Sequence, residues 1–193
     1  MNNNATLEQI IVEYGKSIIE KDYKKTVLFV YPKLFNFIPN KTIEKSLKKA
    51  YSNKEIEVQI SKYNLEKIDY KIILDDIEYL IIKTSFKQKI RYVNISKEGQ
   101  EEAYFHYEIL KENYGESNVV FENNINQITA NSISAQLAIN ENNHWTFLDI
   151  KANILELYAK FLPQLIMNDL RNLFPIVYKD GLDEYNWKSK LNW

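Results

Sequence analysis

The sequence predicts an α+β fold: N-terminal helices, a curved antiparallel sheet, and an added C-terminal helical extension. Three observations predict it. Residues 77–93, IEYLIIKTSFKQKIRYV, alternate for longer than any other stretch. Leu80, Ile82, Thr84, Phe86, Gln88, Ile90 and Tyr92 point one way, and Lys83, Ser85, Lys87, Lys89 and Arg91 the other. That is the period-two pattern of a long strand with one buried and one wet face. Helical three- and four-residue spacing governs the chain before residue 52, and it returns after Ala152.

Taken in order, Thr6-Leu7-Glu8-Gln9 reads as a capping box. The helix it opens has Leu7, Ile10, Ile11, Tyr14, Ile18 and Ile19 on its inner face. Asp22 is placed to cap a second helix holding Val27, Leu28, Val30 and Tyr31, which must end near Pro32. Pro39-Asn40 is a break, after which Asn40 is expected to cap a third helix with Ile43, Leu47 and Tyr51 inside. Ile56, Val58 and Ile60 mark one half-buried strand. Tyr70, Ile72 and Leu74 mark a weaker second one, and Asp75-Asp76 is the turn into the long strand.

Ser96 caps the next helix, on which Ala103, Tyr107, Leu110 and Tyr114 share a face, and Gly115 ends it. Residues 119–121 open another strand. Ile133, Ala135, Leu137 and Ile139 alternate with Ser134, Gln136 and Ala138. A four-residue loop at 140–143 then turns the chain into the return strand 144–150. The last apolar face runs from Ile154 through Tyr158, Leu162, Ile166 and Leu170 to Val177, with Pro163 predicting a kink or two abutting helices. The tail carries Tyr185, Trp187 and Trp193.

With 25 basic against 26 acidic residues, the chain has a formal net charge of −1, which gives no general attraction to nucleic acid or to an anionic membrane. It has no cysteine, so disulfides, thiolate nucleophiles and cysteine metal sites are excluded. No basic n-region leads an apolar run at the N-terminus, and no uncharged apolar stretch is long enough for a bilayer; the cytoplasm is the default expectation.

Two stretches carry a family resemblance: DYKKTVLFVYPKLFNFI at 22–38, and residues 114–150, in which YGESNVVF leads to the hairpin SAQLAINENNHWTFLDI. With the order helix, helix, helix, sheet, and a last strand reading W-x-F-L, the chain resembles the nuclear-transport-factor-two-like superfamily, also described as cystatin-like. The resemblance implies a cone-shaped α+β domain over residues 1–151. Residues 152–193 are then a helical extension packed on the same domain. The superfamily holds isomerases, dehydratases, epoxide hydrolases, polyketide cyclases, transport factors and non-enzymes, so the fold does not decide the function.

The candidate catalytic residues are Asp149, His106 and Tyr14. Asp149 shares a strand face with Trp145 and Phe147. On the concave side it is a buried acid suited to acid–base work; on the convex side it is a solvated strand end. His106 either flanks a pocket near its ordinary pKa or is a boundary histidine. Tyr14 is an oxyanion donor by the resemblance to isomerases, or a boundary core residue. Tyr31, Thr84, Phe86, Gln88, Tyr92 and Trp145 are the candidate ligand-lining residues. Two histidines and no cysteine supply no metal set, and no cofactor is expected. The row Lys83, Lys87, Lys89 and Arg91 reads as the solvated back of the sheet, which also deters edge-to-edge association.

The leading functional expectation is non-catalytic binding of a small apolar molecule or a protein partner. The rival is a small cofactor-independent lyase, isomerase or hydrolase with its acid or base in the cone. A homodimer or partner platform on the C-terminal helix or the open sheet face is the third.

Overall fold

The computed structural model describes residues 6–52, 54–93, 96–151 and 154–179, the last seven as backbone only. The tail aromatics Tyr185, Trp187 and Trp193 therefore lie outside the described residues. The expected capping box opens α1 (Leu7–Ile19): the Gln9 N–H donates to Thr6 Oγ1, and the Thr6 N–H donates to Gln9 Oε1 at 2.9 Å. Lys21 turns the chain at φ 56°, and Asp22 caps α2 (Tyr23–Val27) by accepting the Lys25 N–H. The hydroxyls of Ser17 and Thr26, both buried, bond at 3.0 Å and tie α2 to α1.

A 3-10 turn at Pro32–Asn36 leads to α3 (Asn40–Tyr51). Here the expected cap is corrected. Asn40 is already helical, and the Pro39 carbonyl takes the Thr42 and Ile43 N–H groups, so no side-chain cap forms. No α3 residue is fully buried.

The expected pair of strands at 56–60 and 70–74 is one strand, β1 (Ile56–Leu74). Its pairing with β2 (Ile77–Tyr92) slips at three places between Ser61 and Tyr70, so the period-two pattern is lost locally although the strand continues. Asp75 and Asp76, at φ 51° and 62°, form the tight turn between them. α4 (Lys97–Tyr114) starts at Ser96, which caps Gly99, and stops at Gly115, whose φ of 85° favours a residue without Cβ. β3 (Val119–Glu122), β4 (Gln127–Glu141) and β5 (His144–Asp149) follow. The hairpin loop is shorter than expected: only Asn142 and Asn143 lie between the strands, at φ 55° and 59°.

The strongly curled antiparallel sheet runs β1-β2-β4-β3, and β5 also pairs with β4. β3 lies along 127–130 and β5 along 136–141 of β4, on the edge opposite β2. Helices first and a curled sheet after them is the α+β arrangement the sequence predicts.

Both faces of the sheet are covered at one end. On one face, Leu80, Ile82, Ala138, Trp145 and Phe147 pack with Leu7, Ile10 and Ile11 of α1 and with Phe29. On the other, Tyr79, Ile81, Leu137, Ile139 and Leu148 pack with Leu155 and Tyr158 of α5 (Leu155–Tyr158), with Ile166, Met167 and Leu170 of α6 (Gln164–Lys179), and with Leu162 between the two. The two helices are separate and Pro163 lies between them. At the far end of the α1 face, α4 sets Ala103 and Leu110 on Ile90, Tyr92, Ile128 and Ala130. Both sides of the alternation at 133–139 are therefore covered: Gln136 and Ala138 are buried on the α1 face, and Leu137 and Ile139 on the face that α5 and α6 cover.

Candidate ligand-binding site

Tyr14 follows Leu7, Ile10 and Ile11 along the buried face of α1, and Gly15 beside it allows the helix to approach β1. A Cβ at position 15 would lie 2.6 Å from Tyr63 Cβ. The Tyr14 ring stacks on Phe147 at 5.1 Å and meets Phe29 and Tyr63 edge-on, each at 5.6 Å. Tyr63 in turn stacks on Phe86. Tyr14, Phe29, Tyr63, Phe86 and Phe147 thus form one connected group of rings between α1 and the sheet.

A polar ladder crosses these rings. Gln136 and Asp149 are cross-strand partners of β4 and β5. Gln136 Nε2 donates to Asp149 Oδ1 at 2.9 Å and, at 3.5 Å, to the Tyr14 hydroxyl. The Tyr63 hydroxyl donates to Gln136 Oε1 and lies 3.2 Å from Thr84 Oγ1. Lys151 Nζ stands 3.4 Å from Asp149 Oδ2, and the Asp149 side chain is 41% exposed, so the ladder runs from partly buried hydroxyls to a half-exposed carboxylate.

Tyr51, at the end of α3, lies within electrostatic reach of the same carboxylate. Its ring stacks on Tyr23 at 6.0 Å, with the Lys21 ammonium 5.9 Å from its centre. Burial, then Tyr23 and Asp149, push its phenol up to about 12. Burial also raises the Tyr63 and Tyr14 phenols, with Tyr63 and Asp149 adding to the effect at Tyr14. All three are therefore protonated donors at neutral pH. Among the described residues, the Tyr14 and Tyr51 hydroxyl protons go to no acceptor.

The other candidates lie elsewhere. His106 and Tyr92 bond to each other, Nδ1 to hydroxyl at 2.6 Å, at the α4 end of the sheet. Tyr92 is eight strand positions from Thr84, roughly 26 Å at the usual rise, so this pair and Asp149 do not face one small molecule. Burial lowers the His106 pKa and raises that of Tyr92, which fits a neutral imidazole accepting a phenol proton. Gln88 donates to Ser132 Oγ between the two ends. Trp145 is buried with α1, whereas Tyr31 packs with the α5–α6 cluster and donates to Glu141.

Tyr63, Gln136 and Tyr51 are the site residues that sequence reasoning missed. Tyr63 lies where strand periodicity breaks, Gln136 is one polar residue in an ordinary strand alternation, and Tyr51 reads as ordinary helix interior. A lone glycine inside α1, costly in a helix unless needed, was the one available sign of the close approach.

Among the described residues no group of three or more His, Asp or Glu could hold a metal ion, and no helix is long and apolar enough to cross a membrane. No protein-family model matches the chain, and no curated protein matches it in sequence. Among solved structures it is similar to a chain described as a SnoaL-like polyketide cyclase from Shewanella putrefaciens CN-32. The identity is 15% and the TM-score 0.33, with 76% of this chain and 90% of that chain covered.

Proposed function

We propose that this protein binds, without transforming it, a small and largely apolar molecule bearing one oxygen acceptor, in a mouth beside Asp149. The observation that carries the reading is the pair of protonated phenols, Tyr14 and Tyr51, with hydroxyl protons given to no acceptor among the described residues, flanking a half-exposed carboxylate. A carbonyl or hydroxyl oxygen would take those protons, and the surrounding rings would take the apolar body. Binding is favoured over catalysis because both Asp149 oxygens are engaged, one by Gln136 and one by Lys151, and the group is open to water.

The test is a calorimetric titration of matched ligand pairs, each a small cyclic ketone or phenol and its hydrocarbon counterpart. The oxygenated member should bind about two- to tenfold tighter, as one neutral hydrogen bond allows. Tyr14→Phe and Tyr51→Phe should reduce that preference with the circular dichroism unchanged. Equal binding of both members, or binding of neither, would overturn the proposal. A cofactor-independent lyase, isomerase or hydrolase has one observation in its favour, the meeting of Tyr14 and Asp149 on the Gln136 amide. Turnover of such a ketone, lost in a folded Asp149→Asn variant, would select it.

A further inference from the structure

The end of the sheet that holds α4 carries a second surface with a different chemistry. The outer side of α4 leaves Tyr104 54% and Phe105 47% exposed, and β3 leaves Val120 57% exposed. Tyr104 and Tyr107 both meet the Phe121 ring, at 6.2 and 5.5 Å. Between helix and strand lies an open groove of about 610 Å³, floored by Tyr104, Phe105 and Phe121 and rimmed by Lys97, Glu101 and Glu108. Exposed aromatics beside charged side chains are the composition of a recognition surface rather than of a solvated helix back.

Charge indicates what the groove accepts. Residues 96–123 hold seven glutamates and two lysines, although the whole chain has a net charge of only −1. The two rim glutamates are paired, Glu101 with Lys97 at 3.9 Å and Glu108 with Lys111 at 3.0 Å, so the excess negative charge sits around the groove, on Glu98, Glu102, Glu112, Glu116 and Glu122. Such a field repels phosphate polymers and anionic lipid, and attracts cations. Among the described residues β3 ends the sheet path with a neighbour on one side only, so its outer edge suits an extended chain.

We propose that the α4–β3 groove docks an extended, basic segment of a partner protein, with Lys or Arg side chains among the glutamates and an aliphatic or aromatic anchor on Tyr104 and Phe121. This surface is separate from the Asp149 mouth, and the proposal stands whether or not that mouth binds a small molecule.

The experiment is fluorescence anisotropy on the full chain with two labelled peptides, one alternating Lys with Leu and Phe, the other with every Lys replaced by Glu. The basic peptide should bind at least tenfold tighter, and its affinity should fall as salt is raised. Tyr104→Ser should weaken it about tenfold. Glu101→Lys, at an exposed position, should weaken it and flatten the salt dependence. Equal binding of both peptides, or indifference to Tyr104→Ser, would overturn the proposal. Light scattering showing a dimer that Tyr104→Ser dissociates would overturn it in favour of a second copy of this chain. Peptide binding that appears only in a Lys188→Glu, Lys190→Glu variant would overturn it in favour of the chain's own residues 187–193, WKSKLNW.

Discussion

Gly15 and Tyr63 show how a single atom sets the spacing between helix and sheet. The helix propensity of glycine is poor, about 1 kcal/mol below alanine, so at an open position Gly15→Ala would stabilise α1. Here the new methyl would lie 2.6 Å from Tyr63 Cβ, next to the backbone and not at a flexible tip. α1 or β1 must then move, and Tyr63 carries the hydrogen bond to Gln136 with it. Overpacking of this kind costs about 1–3 kcal/mol, which exceeds the propensity gain. Gly15→Ala should therefore lower the urea midpoint, and a raised midpoint would show that the interface yields cheaply.

At the scale of elements, α4 is held to the sheet by a small apolar seam and a partly buried polar pair, Tyr92 with His106. Facing that pair, Glu102 of the same helix raises the Tyr92 phenol after burial has done so. Burial lowers the His106 pKa below 6.5, so the folded state resists a proton that the unfolded chain accepts. This contribution to stability is complete above pH 6.5 and is lost as the pH falls below it. His106→Leu should cost about 1 kcal/mol at pH 7 for the lost hydrogen bond, and the gap from wild type should narrow by pH 5. A gap that stays constant would mean that His106 is already charged or already wet. Pro163, by contrast, acted as the sequence predicts: it leaves α5 and α6 as two helices, and both reach the same sheet face.

Across the whole molecule, stability is distributed unevenly. β4 is paired on both edges and packed on both faces, whereas α3 has no fully buried residue and rests mainly on α2. Hydrogen exchange should reflect that contrast, with α3 amides exchanging first and β4 amides at 135–139 last. Ligand at the Asp149 mouth should slow α3 through Tyr51. Protection of α3 equal to that of β4 would contradict the distribution.

Local signals made much of the fold legible. The capping box at Thr6, the Asp22 and Ser96 caps, Gly115, the Asp75-Asp76 turn and the alternation of β2 all act within a few residues, and each appears where the sequence places it. The continuity of β1 was illegible because bulges scramble its period. The burial of Gln136 was illegible because alternation separates two faces without saying that α1 and α6 cover both. The site depended on long-range geometry: Tyr14, Tyr51, Tyr63, Gln136 and Asp149 come from five elements that no spacing rule connects. By itself, the sequence determined the α+β class and the order of the elements, through side-chain periodicity and backbone chemistry. Only the tertiary structure decided which polar groups meet at Asp149 and which aromatics stay exposed on α4, because the curl of the sheet and the approach permitted by Gly15 set those distances.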